Sequence, residues 1–294
     1  MILEGATLDT FLRFAVLAAS TCLFYILFSL GLTLIFGFHE VFNFAHGAFY
    51  MLGAYIGLLF FTLTGNFGVA IIASVLCTMS IAALFERGLV SRLYGTDPAN
   101  NFLLTFAFGL TFIGIVKLIA GVQFKYFARP ELLAGAVTVG TVTIPHYRIF
   151  FIAISILLII LVHMLLTRTR IGIIIRAGVT NRSAVEVLGI KVKNYFTLLF
   201  AIGSGLAGIA GVLMAPLGTL FPGMGGELII WAFVIVIIGG LGSFKGAIIG
   251  GVIIGLLHSF GTIVLGPDIL LVTFVILIVF MLLRPQGLFG ARKT

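Results

Sequence analysis

The chain has 294 residues, 61% hydrophobic and 9% charged, with 17 lysines and arginines against 9 acids and a formal net charge of +8. Its mean hydropathy is +1.30. Too little polar surface remains to cover a water-soluble core, which excludes a soluble globule and points to a polytopic membrane protein. The basic residues are separated by apolar runs of spanning length, so the charge reports topology and no nucleic-acid partner is expected.

A bilayer core of about 30 Å takes roughly 20 apolar residues as helix. On that measure the chain is an all-α transmembrane domain covering 1–294, with about 8–9 transmembrane helices, near 11–36, 47–64, 68–86, 102–120, 149–167, 195–216, 227–241, 247–265 and 268–283. The start, MILEGATLDTF, carries Glu4 and Asp9 and lacks a basic signal-peptide opening, so the first run is expected to stay as a helix. Span 47–64 follows the polar string His39, Glu40, Asn43 and His46, and span 227–241 is short and ends in Gly-Gly-Leu-Gly. Either is expected to be broken or re-entrant, which a bilayer tolerates only where protein or a wet cavity satisfies the backbone. His46-Gly47-Ala48 opens one apolar run and Lys245-Gly246-Ala247 another, a faint internal echo of the parallel-repeat kind, both on one side of this map.

Segment 121–148 is expected to face outward, its alternating Val137, Val139, Thr141 and Thr143 forming a short hairpin or lid. The polar island Thr167–Asn194 follows, with Arg168, Arg170, Arg176, Arg182, Lys191 and Lys193 against the single acid Glu186. With 168–194 as a cytoplasmic loop, twelve of the lysines and arginines fall on that side and five on the other. The positive-inside rule then places the N-terminus outside and the C-terminus in the cytoplasm. Thr180, Asn181 or Ser183 can cap a short helix there; Ser183 and Glu186 have capping-box spacing, and Gly189 suits the left-handed close. Ala184, Val185 and Leu188 share one face of that helix. Such a face fits a protein socket or anionic lipid, and its small residues favour the socket.

Downstream, Ser204 with Gly208, Ala207 with Gly211, Gly246 with Gly250, and Gly251 with Gly255 are small residues four apart, which lets helix backbones approach in lipid. Cys22 and Cys77 lie inside apolar runs as small hydrophobes, and no metal site is expected. No nucleophile elbow, zinc signature or phosphate loop is present, so the chain is not read as an enzyme and ATP, if used, is hydrolysed by another chain. Glu40, Glu86, Lys117, His163, Glu227, Lys245 and Asp268 lie near span ends, and among these ionisable residues only His258 sits well inside one. That disfavours a proton- or sodium-driven carrier, which needs ionisable groups at the midplane.

Gly31–Tyr55, GLTLIFGFHEVFNFAHGAFYMLGAY, resembles the opening of permease subunits of branched-chain amino acid ABC transporters, in particular the shorter of their two permeases. Arg176–Pro216 resembles the family's coupling loop and glycine-rich helix; Phe233–Gly255 and the ending RPQGLFG are similar to its final segments, and Leu104–Gly109 is a looser match. Segment 121–145 lies outside the resemblance. The resemblance implies a multi-pass subunit of the bacterial inner membrane that binds no cofactor itself. Its implied companions are a second related permease, two cytoplasmic subunits that hold ATP and Mg, and a periplasmic or lipid-anchored substrate-binding protein. The coupling role then falls on Thr180, Asn181, Arg182, Ser183, Ala184, Val185, Glu186, Leu188 and Gly189. Helix ends near Phe42–Gly47 and Gly239–Gly246 are expected to face the solute, with Asn43, His46, Gly47 and Ser243 as contacts. A permease for urea or short amides shares these motifs, and a gradient-driven carrier and a passive channel are the remaining alternatives.

Overall fold

The computed structural model describes residues 8–39, 42–140, 142–180 and 182–290, with side chains described for all of these except 8–10, 38, 39, 139, 179, 180, 182, 183 and 267. The described chain is helical almost throughout. Its helices are α1 (Leu8–His39), α2 (His46–Thr64), α3 (Phe67–Gly88), α4 (Pro98–Ala120), α5 (His146–Arg168), α6 (Arg170–Thr180), α7 (Arg182–Val187), α8 (Val192–Met214), α9 (Gly225–Gly239), α10 (Phe244–Leu265) and α11 (Ile269–Leu283). Seven of them, α1 to α5, α8 and α10, are long and apolar enough to cross a membrane. The expected span at 47–64 is an unbroken helix of 19 residues. By contrast α9 and α11 have 15 residues each, about 22 Å of rise, short of a full hydrocarbon core. The polar island is not simply a loop around one short helix. It also contains the 11-residue α6, whose buried Gly172, Ile175 and Gly178 recur at helical spacing between arginines.

Helix ends follow local chemistry. Asn66 Oδ1 accepts the N–H groups of Gly68 and Val69 at 2.9 and 3.2 Å and opens α3, while Asp97 followed by Pro98 opens α4. Between α4 and α5 the alternating segment forms a hairpin, β2 (Ala136–Val139) against β3 (Val142–Pro145), with Thr138 opposite Thr143; Thr141 lies outside the described residues. Strand β1 (Lys125–Tyr126) pairs with β4 (Thr219–Leu220), tying this segment to the end of α8. There Phe61 and Phe67 pack on Phe127, and the Tyr147 hydroxyl donates to Leu213 O at 2.7 Å.

Helix α8 is the axis of the bundle, buried from Leu199 to Leu213 save Ile202. α2 lies along it in parallel, Gly53 against Gly208 and Gly57 against Val212; α3 lies along it antiparallel, Met79 against Gly205 and Thr78 against Gly208. A methyl group at Gly53 would strike the Gly208 backbone and one at Gly208 would strike Thr78 of α3, so α2 and α3 both approach α8 closely because these positions carry no side chain. Ser74 completes the contact: its hydroxyl is 2.8 Å from Gly53 O and 3.2 Å from Gly208 O. The other small residues noted in the sequence sit at comparable approaches. Gly211 faces the α2 backbone at Tyr50 and Ala54, Gly246 faces Gly239, Gly250 faces Ile235, and Gly251 and Gly255 face Ile26 and Cys22 of α1. Ser204 is fully buried, and its hydroxyl has no hydrogen bond among the described residues.

The α2–α8 register puts His46 level with Ala201, nine residues past Val192, so α2 begins about 14 Å along the axis of α8. Segment 42–44 therefore leads into the first helical turn within the bundle, where unmet backbone groups are costly. Thr105 of α4 supplies the missing partner. Its Oγ1 accepts from Phe44 N–H at 3.2 Å and lies 3.3 Å from Phe42 O and 2.9 Å from Asn101 O, between which its single proton can alternate.

Three outcomes follow for thermal unfolding of the purified chain in detergent. Gly208→Val should cost about 1–3 kcal/mol through overpacking, whereas Gly114→Ala, where nothing lies within 4 Å, should gain up to about 1 kcal/mol. Thr105→Val, which keeps the shape and removes the hydroxyl, should cost about 1–3 kcal/mol; an unchanged melting temperature would show that segment 42–44 does not depend on it.

Candidate functional site

Two features combine polar placement with exposed apolar surface. One is a groove where α2 and α9 begin. Gly47 and Gly225, first-turn residues of their helices, touch backbone to backbone. Beside them opens a cavity of about 310 Å³ between α2, α4 and α9, lined by Phe44, Gly47, Ala48, Met51, Phe106, Gly109, Leu110, Ile113, Gly223, Gly225, Gly226, Ile229 and Ile230. No charged side chain lines it. The polar groups at hand are the first-turn amides of two helices, which carry the positive ends of the helix dipoles; among them the His46 and Gly226 N–H groups already donate to Asn43 O and Gly223 O.

Of the four residues expected to face solute, Gly47 alone lines this groove. Asn43 and His46 are fully buried beside it and hold the α2 start in place. Asn43 Oδ1 accepts Ala45 N–H at 3.1 Å, and Asn43 O accepts His46 N–H at 3.3 Å. His46 Nε2 lies 2.9 Å from Phe28 O, and its ring packs 4.8 Å from that of Phe28. Ser243 is elsewhere: its hydroxyl accepts Gly246 N–H at 3.1 Å and opens α10, next to the Gly37–Gly242 contact at the far end of α1. From Phe28 to Gly37 is about 14 Å of helix, so the two expected helix ends do not converge. The His-Gly-Ala and Lys-Gly-Ala echo is likewise pulled apart. Gly47 meets the first residue of α9 and Gly246 meets its last, about 21 Å away. His258 packs its ring 4.9 Å from Trp231 and 5.6 Å from Tyr25 as part of an aromatic cluster. The groove walls Met51, Gly109, Ile229 and Ile230 were not legible as site residues, because an apolar residue in a membrane helix looks the same facing a cavity or a neighbour.

The second feature is α7. Asn181 lies outside the described residues, as do the side chains of Thr180, Arg182 and Ser183, so the capping pair of Ser183 with Glu186 is not described. Gly189 has φ +78 and its N–H donates to Glu186 O at 3.0 Å, closing the turn. The expected apolar face divides. Val185 is buried in a small cluster with Val192 and Phe196, packed by Tyr94, Ile174 and Ile190. Ala184 and Glu186 are exposed, and Leu188 is 76% exposed, joined by Val187 at 86%. Val187 is the residue the sequence reading missed; helical spacing from Ala184 is the signal that finds it. Tyr94, which packs on that cluster, donates its hydroxyl to the fully buried carboxylate of Glu86, which also accepts from the Thr197 hydroxyl and so links α3, α8 and the segment after α3.

Among the described residues no group of three His, Cys, Asp or Glu side chains is placed to hold a metal ion. Residues 14–283 match the family described as branched-chain amino acid transport system / permease component. The chain is 31% identical to the high-affinity branched-chain amino acid transport system permease protein BraD of Pseudomonas aeruginosa, over 90% of this chain and 91% of that one. It is 27% identical to the permease protein LivH of Escherichia coli K12, over 90% and 91%. The corresponding probable LivH of Methanocaldococcus jannaschii is 28% identical over 99% of this chain and 92% of its own. No solved structure matches the chain. With a permease profile running from the first membrane helix to the last, the chain belongs to the branched-chain amino acid transport permease family and is a multi-pass membrane transport subunit.

Proposed function

We propose that this permease carries a branched-chain or related small aliphatic amino acid inward, working by alternating access driven from outside the bilayer. The groove between α2, α4 and α9 carries the proposal. Its walls of Met, Ile, Leu and Phe fit a branched aliphatic side chain, and the paired amide ends of α2 and α9 suit a solute carboxylate. The same apolar walls argue against urea, which has no apolar group to bury. The Glu86 carboxylate is bonded to Tyr94 and Thr197, away from the groove, so it does not suit a proton-coupled carrier.

As a permease component the chain is not itself the ATPase, which sits in separate subunits, and it works with ATP-binding and substrate-binding components. In this reading there are two ATP-binding subunits, which hold ATP and Mg, a second related permease and an external substrate-binding protein. The membrane is the bacterial inner membrane, with α6, α7 and the C-terminus on the cytoplasmic side. The exposed Ala184, Val187 and Leu188 are the knobs that enter a socket on an ATP-binding subunit. Val185 and, through Tyr94, the Glu86 carboxylate pass the movement to α8 and α3. Because α8 is clamped to α2 at Gly53 and Gly208, a push on α8 reaches the start of the groove.

Three results test this. Reconstituted with its ATP-binding subunits and binding protein, the complex should take up leucine, isoleucine or valine in an ATP-dependent way; accumulation by the lone chain under a proton or sodium gradient would overturn the reading. Val187→Asp with Leu188→Asp should leave membrane insertion intact and abolish both co-purification of the ATP-binding subunits and solute-stimulated ATP hydrolysis. Gly109→Leu, which places a side chain in the groove, should lower leucine uptake by about tenfold or more relative to a smaller amino acid, with basal ATP hydrolysis retained. Equal loss for both solutes would remove the groove from the pathway.

A further inference from the structure

A second cavity, sharing no residue with the groove, opens between α1, α5, α6 and α10 with a volume of about 460 Å³. Three basic side chains line it from three different helices: His163 of α5, Arg176 of α6 and Lys245 of α10, and no acid is among its lining residues. Thr167 lines it beside them. In its wall is Thr33 of α1, 2% exposed, whose Oγ1 has no hydrogen bond among the described residues. That is unusual for this helix. Ser20, Thr21 and Ser29 each donate to the carbonyl one turn back, at 2.8, 3.0 and 2.5 Å. The Thr33 hydroxyl is sealed within the cavity wall, so it shapes the site without touching its contents.

We propose that this cavity holds the headgroup phosphate of an anionic phospholipid, with Lys245 and Arg176 supplying charge and His163 supplying a hydrogen bond. Its position favours a lipid over a free ion. Along α5 the stripe that leads from His163 continues as exposed Ile160 and Ile156, and along α10 the stripe from Lys245 continues as exposed Ile249 and Val252. A headgroup bound between the helices would thus have its acyl chains laid directly on apolar surface. Basic pockets between membrane helices at the cytoplasmic face are suited to this chemistry, since charge-assisted bonds to phosphate are strong and such sites lie where anionic headgroups are concentrated. Because α6 leads into α7, a lipid held here would brace the base of the coupling helix against α1 and α10.

The test is binding to the purified full-length chain in mild detergent, read by native mass spectrometry, and needs no partner subunit, so its failure leaves the transport reading untouched. Phosphatidylglycerol should bind in preference to phosphatidylethanolamine, and Lys245→Gln with Arg176→Gln should weaken it by about thirtyfold. Lys245→Arg, which keeps the charge and is the milder change, should retain it. Equal binding of the two lipids, or an unchanged affinity in the double variant, would overturn the proposal. So would displacement of phosphatidylglycerol by millimolar inorganic phosphate, which would assign the site to a free ion.

Discussion

The seam where α2, α3 and α8 meet holds two glycines, Gly53 and Gly208, and one hydroxyl, Ser74, and the rest of the bundle is positioned by it. Lipid offers no hydrophobic drive for one helix to pack on another, so association depends on close contact and on hydrogen bonds. Glycine supplies the first by removing the side chain that would keep backbones apart. Ser74 supplies the second by placing a donor between two carbonyls that a wider spacing would leave out of reach. Once α2 is set on α8 in that register, its first turn falls inside the bundle, and everything about the groove follows from where that turn lies.

A helix that starts at depth creates an electrostatic opportunity and a backbone problem together. The opportunity is a cluster of amides and a dipole end in an apolar environment, where their influence on a carboxylate exceeds what it would be in water. The problem is the non-helical segment that must lead to it. Thr105 on α4 meets the backbone groups of Phe42 and Phe44, and Asn43 turns back on Ala45. The polar residues here thus serve the geometry of the site, and the apolar residues form its surface, the reverse of the usual division in a soluble binding pocket.

Helix α7, at the other end of α8, shows a similar split. Val185 points into the chain's own core, in the cluster that Tyr94 packs against, while Val187 and Leu188 stand in the open. One helix of six residues therefore has an anchored side and a free side. The anchored side is packed against Val192 and Phe196 of α8.

All nine apolar runs were legible as helices, because hydropathy summed over a window is a local property and a helix satisfies its own backbone. The basic island and the glycine spacing were legible for the same reason: charge and side-chain size are written residue by residue. What the tertiary structure alone decided was partnership. Whether Val185 faces inward or outward, whether Asn43 and His46 line the groove or stand buried beside it, and whether Ser243 joins them or caps α10 some 14 Å away depend on which neighbour stands opposite. In a chain so uniformly apolar, composition carries almost no information about neighbours, and only the packed backbones determine them.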